Sequence, residues 1–82
     1  MSVSVTFFGL HRVLAKTDKI DIPLSSSVKN VDDLFSYIRE NFPSLRLQKD
    51  MLLVTVNNNI SSYDRNLNIN DEISFIPHIG GG

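Results

Sequence analysis

Few residues in this 82-residue chain are of types that do chemistry. There is no cysteine, so disulfides, thiolate metal sites and a cysteine nucleophile are excluded, and no metal site is expected. No histidine–carboxylate pair singles out Ser25, Ser26 or Ser27 as a nucleophile, and these serines read as turn and cap residues. The candidate that remains is the end of the chain, Phe75-Ile-Pro-His-Ile-Gly-Gly-Gly82. There an apolar strand is stopped by a proline, and three glycines lead to a carboxylate. Glycine has no Cβ, so Gly80, Gly81 and Gly82 form the thinnest peptide available and admit another backbone at close range. Such a segment suits a terminal carboxyl group that must thread a narrow channel into another protein. The plain alternative is a frayed or appended end, and the rest of the chain has to decide between them.

The body of the chain reads as one small domain, residues 1–82, with the glycine tail at 80–82. Val3 to Gly9 alternates apolar and polar residues as a strand. It puts Val3, Val5 and Phe7 on a core face and Phe8 on the other. Leu10, Val13 and Leu14 stand at helical spacing and predict a short helical turn. Lys19 to Leu24 alternates again, and Pro23, which cannot donate a ladder hydrogen bond, places this strand at a sheet edge. The main helix is expected from Asn30, an N-cap residue followed by Asp32 and Asp33 in the first turn. Its stripe is Val31, Leu34, Phe35, Ile38 and Phe42, and Pro43 ends it. Tyr37, Arg39 and Glu40 are assigned to its outer face.

After a loop at residues 43–50, Met51 to Val56 reads as a strand buried on much of both faces. Asn57 to Asn59 is turn chemistry, and Ile60 to Tyr63 a brief strand. A polar loop follows with Leu67 and Ile69 turned inward. Asp71 to Pro77 is the last strand, with Ile73 and Phe75 on one face and Ile76 on the opposite one. One amphipathic helix packed on one face of a mixed sheet of about five strands is the two-layer α+β solution for this order. Parallel pairing of the first and last strands gives the ubiquitin-like β-grasp.

Net charge is −1 with acidic and basic residues nearly balanced, unlike the basic footprint of a nucleic-acid binder. No apolar run reaches the roughly 20 residues of a membrane span. The alternating N-terminus lacks the basic region of a signal peptide. A cytoplasmic protein with neither a nucleic-acid nor a membrane partner is expected.

Val5-Thr-Phe-Phe8, Val31-Asp-Asp-Leu34, Leu53-Val-Thr-Val-Asn57, Leu67-Asn-Ile-Asn-Asp-Glu-Ile73 and the ending Phe75-Ile-Pro-His-Ile-Gly-Gly-Gly82, taken in order, resemble the MoaD/ThiS-type ubiquitin-like sulfur carriers. In particular they resemble the small subunit of molybdopterin synthase. The resemblance implies that an E1-like adenylyltransferase uses ATP to adenylate the carboxylate of Gly82, and that a sulfur donor system then converts it to a thiocarboxylate. The chain would bind no cofactor itself and would not be an enzyme alone. It would donate sulfur to a molybdopterin precursor inside the large synthase subunit, in a heterotetramer. His78, Ile79, Gly80 and Gly81 would thread the partner's channel. The interface would comprise Phe8, Arg12, Ile60, Phe75, Ile76 and Pro77.

The family often has two prolines where this chain has Pro77-His78, and His78 is read as a spacer. Asn70 stands where a glycine is usual, and asparagine also tolerates the left-handed region. Gly80 is an added glycine before the usual pair. Other readings stay open: a carrier for thiamin thiazole or tRNA thiolation, a ubiquitin-like modifier joined to lysines, or a non-catalytic β-grasp interaction module.

Overall fold

The computed structural model describes residues 1–78; Ile79, Gly80, Gly81 and Gly82, the expected thread and its reactive end, lie outside the described residues. In chain order come β1 (Ser2–Thr6), α1 (Gly9–Ala15), β2 (Lys19–Pro23), α2 (Val31–Asn41), short 3-10 turns at Pro43–Leu45 and Lys49–Met51, β3 (Leu52–Val56), β4 (Asn59–Ile60) and β5 (Glu72–Pro77). The strands make one mixed sheet in the order β2-β1-β5-β3-β4. β1 and β5 run parallel through the centre, with Val5 opposite Ile73, and the remaining neighbours are antiparallel. A parallel pair needs a long crossover, and the intervening chain with α2 supplies it. This is the β-grasp architecture. β2, with Pro23, lies at an edge as its proline requires.

α2 begins where its cap dictates. The Asn30 side-chain oxygen accepts from the Asp33 N–H at 2.8 Å, and the Asp33 carboxylate accepts from the N–H groups of Asn30 and Lys29. This reciprocal box satisfies donors that the first helical turn leaves open. Val31, Leu34, Phe35 and Ile38 then bury one stripe against the sheet. Phe42, ahead of Pro43, leaves the helical region with φ −131° and ψ 62°, because a proline disfavours the α conformation in the residue before it.

Phe35 sits at the centre of the core, edge-on to Phe75 at 5.8 Å and to Tyr63 at 5.6 Å. The Lys49 ammonium lies over the Phe35 and Tyr63 rings and pairs with Asp32. Burial and the nearby Asp32 carboxylate push the Tyr63 phenol above its ordinary range.

Asparagines make the sharp corners. Asn57 and Asn58 have φ of 52° and 69° and form the two-residue turn between β3 and β4, where a right-twisted hairpin wants both central residues left-handed. Asn70 has φ 69°, the backbone state that the usual glycine would take. Buried Asp71 ties the turn and the last loop to the start of β5. Its carboxylate accepts from the Asn57 side-chain amide at 2.9 Å and from the Asn68 N–H at 2.8 Å.

Several expectations change. The strand expected from Ile60 to Tyr63 is only Asn59–Ile60. Leu67 is buried but Ile69 is exposed, so one anchor holds the polar loop. β3 alternates, with Leu52, Val54 and Val56 buried and Leu53 and Thr55 half-buried, because its second face has no covering layer. Tyr37 packs partly against the core.

Candidate interaction surface at the root of the chain end

The sheet holds the chain as far as His78. Leu52 pairs with Pro77, and one residue on, the His78 N–H donates to the Met51 carbonyl at 3.0 Å. The course of the chain through His78 is therefore set by β3 and the residue before it.

Side chains on the sheet face away from α2 follow from the register. Antiparallel and parallel partners share a face, and alternate residues along each strand return to it. One row across that face is Ile60, Thr55, Ser74 and Thr6. The next row toward the chain end pairs Leu53 with Ile76. The β1–β5 pairing closes at Thr6 and Ser74, and two residues on in each strand come Phe8 and Ile76. Phe8 keeps extended backbone, φ −127° and ψ 153°, so it continues the alternation of β1. Phe7 is accordingly buried while Phe8 is 44% exposed.

The result is an apolar end to an otherwise polar face. Phe8, Leu53 and Ile76 come together near the end of β5, with Ile60, 75% exposed, one row behind on the edge strand. The Thr6 row ends in Lys19, and the row beyond it carries Asp21 and Glu72. A concentrated apolar patch rimmed by polar residues is the signature of a protein–protein contact.

Three of the six expected interface residues lie on this surface: Phe8, Ile60 and Ile76. Pro77 departs from the expectation, because it shares the parity of Phe75 and pairs with buried Leu52, which puts it half-buried on the α2 side of the sheet. Arg12 is exposed on α1, the helix that follows Phe8. Phe75 is a correction. It is 0% exposed and packs against Phe35, because its parity in β5 turns it toward α2. It belongs to the core and presents nothing to a partner in this conformation. Leu53 is the residue that sequence reasoning missed. Assigning Leu52, Val54 and Val56 to the core forces Leu53 onto the open face, but the run of apolar residues in β3 hid that alternation. His78 is exposed.

Among the described residues no group of histidines and carboxylates is arranged to hold a metal ion. Among them, too, no helix is long and apolar enough to cross a membrane.

Comparison with known proteins places this geometry. The model of the ThiS family matches residues 5–82. No curated protein matches the chain by sequence. Among solved structures, SAMP1 from Haloferax volcanii is similar with a TM-score of 0.82 at 17% identity, covering 100% of both chains. The complex of subunits 1 and 2 of the molybdopterin-converting factor from Helicobacter pylori contains a similar chain, with a TM-score of 0.72 at 23% identity and 100% of both chains covered. Urm1 from Trypanosoma brucei gives a TM-score of 0.73 at 23% identity, covering 99% of this chain and 95% of that one. At such identities these likenesses speak to the fold.

Proposed function

The chain belongs to the ThiS family, ubiquitin-like proteins of the sulfur-carrier and modifier type, and from that premise we propose that it carries sulfur on Gly82 as the small subunit of a molybdopterin synthase. The observation that carries this reading is the family match running through residue 82, so that it includes the Gly80-Gly81-Gly82 ending. The apolar cluster of Phe8, Leu53 and Ile76, set beside the point where the chain leaves the sheet, supports it.

The chemistry follows from the carboxyl group. A carboxylate is a poor electrophile. Attack of its oxygen on the α-phosphorus of ATP, in an E1-like adenylyltransferase, releases pyrophosphate and gives an acyl-adenylate. A sulfide equivalent from a sulfur donor then displaces AMP to leave a thiocarboxylate, a good sulfur nucleophile. In the large synthase subunit that sulfur passes to the pterin precursor, and hydrolysis returns the carboxylate. The carrier supplies no acid or base of its own. Its part is reach and fit. Four residues beyond His78 span at most about 14 Å when extended, and three of them lack side chains that would jam a narrow channel. Anchoring belongs to the open-face cluster, with Arg12 as a polar contact.

The test is intact mass after incubation with an activating enzyme, ATP and a sulfur source. One sulfur-for-oxygen exchange on the wild-type chain is expected. Loss of that exchange on deleting Gly82 or on Gly81→Phe is expected too, at nearly unchanged Tm. An unchanged wild-type mass would leave an interaction module without carrier chemistry. Copurification with a large synthase subunit distinguishes this pathway from thiamin or tRNA thiolation. A modifier reading draws on the likeness to SAMP1 and Urm1, and lysine conjugates that survive denaturation would favour it instead.

A further inference from the structure

On the other side of the sheet from the open face lies a cleft of about 270 Å³ between α1, the connection after α2 and the end of β5. Its floor includes Leu47 and Leu52, both buried. Its polar lining is His11, Arg46, Gln48 and His78, with no carboxylate among the lining residues. Among the described residues Arg46 enters no ion pair. Its backbone is pinned at φ 52° by an N–H bond to the Pro43 carbonyl at 3.1 Å. His11 buries its Nδ1 without a hydrogen-bond partner. A guanidinium, an amide and two imidazoles thus surround a small space with an apolar floor, and among the described residues nothing negative lines it.

We propose that this cleft receives one acidic side chain of a partner polypeptide. A carboxylate on a short aliphatic stem matches the lining: the stem covers Leu47 and Leu52 while the oxygens meet Arg46 and Gln48, a charge-assisted geometry for which a guanidinium is well suited. The source is a polypeptide because the cleft adjoins Pro77 and His78. A partner polypeptide that takes hold of the chain at His78 passes over it. Bulk phosphate would have little use for the apolar floor.

The imidazole makes the contact pH-dependent. Burial holds His11 below the ordinary 6.5, and a carboxylate beside it favours the protonated form and lifts it back. Sharing the cleft with His11 are Arg46 from the connection and His78 just after β5, while Met51 of the second 3-10 turn and Leu52 of β3 are uncharged. By linkage, the carboxylate binds more tightly as pH falls from 7 toward 6.

The probe is the blocked peptide acetyl-Gly-Glu-Gly-amide, titrated into the full-length chain and followed by NMR, with its Gln counterpart and inorganic phosphate as controls. Saturable shifts at Arg46, Gln48, His78 and the Leu52 methyls are expected, with a dissociation constant on the order of 1–10 mM. Tightening at pH 6 is expected, along with about a tenfold weakening in Arg46→Gln that Arg46→Lys partly restores. Equal shifts with the Gln peptide, no saturable shift with the Glu peptide, unchanged affinity in Arg46→Gln, or binding of phosphate alone would each overturn the proposal. The probe needs neither ATP nor sulfur, so failure here leaves the carrier reading standing.

Discussion

The two helices of this chain carry similar apolar spacing and do opposite things with it. In α2 the stripe goes inward, with Val31, Leu34 and Ile38 fully buried and Phe35 nearly so. In α1 the stripe goes outward, with Leu10 and Val13 each 65% exposed and Leu14 37%. What α1 turns inward is His11 and Ala15, one turn apart and both partly buried. α2 has a reciprocal cap and eleven residues, whereas α1 has seven, no side-chain cap and no buried residue. α1 lies against the Pro43–Leu45 turn, and its end is formed by Lys16 in the left-handed region at φ 62°. An isolated helix this short is marginal, so α1 persists through its ends and neighbours. A helix with an outward aliphatic face is free to serve contact, while the one that faces inward is committed to stability.

That division is broken most severely at Phe35. Phe35→Ala should cost about 3–5 kcal/mol, read from chemical denaturation. The ring is the hub between Phe75 and Tyr63, and Lys49 rests on it. A cost near that of a surface change would mean that α2 is not the source of the core. Next comes the cap. Asn30→Ala removes the acceptor for the Asp33 N–H and should cost about 1 kcal/mol. The same measurement at Phe8, which stands at the N-cap of α1 and offers no side-chain bond, has nothing comparable to lose.

The difference between the helices also explains what could be read from the sequence. α2 was legible because three signals agree: an Asn cap, acidic residues in the first turn, and a stripe that persists over three turns until Pro43. β1, β2 and β5 were legible because alternation names their faces, which fixed Phe8 and Ile76 on the open side. α1 was legible as a helical turn but not in its orientation. Spacing says that Leu10, Val13 and Leu14 share a face, and only the tertiary packing of His11 and Ala15 says which way that face looks. Phe75 was misplaced among contact residues although its own parity with Ile73 pointed inward. Ile69 is expected inward yet lies exposed, because the left-handed Asn70 and the Asp71 staple decide the course of the loop. The cleft at His11 and Arg46 had no local signal, since its walls come from three parts of the chain that meet only in the fold.

The finest test of the comparison uses one residue type in both helices. Val31 is 0% exposed in α2 and Val13 is 65% exposed in α1. Serine and valine differ little in helix propensity, so Val→Ser reports burial rather than helix formation. Val13→Ser should change stability by no more than about 0.5 kcal/mol, measured by chemical denaturation. A penalty at Val13 approaching that of a buried aliphatic, about 1.5–3 kcal/mol, would mean that α1 is covered in solution by something this conformation does not show, such as a second copy of the chain. The penalty would then depend on protein concentration, because association adds to apparent stability by mass action. A small, concentration-independent change keeps the aliphatic face of α1 open for contact and leaves the fold resting on α2.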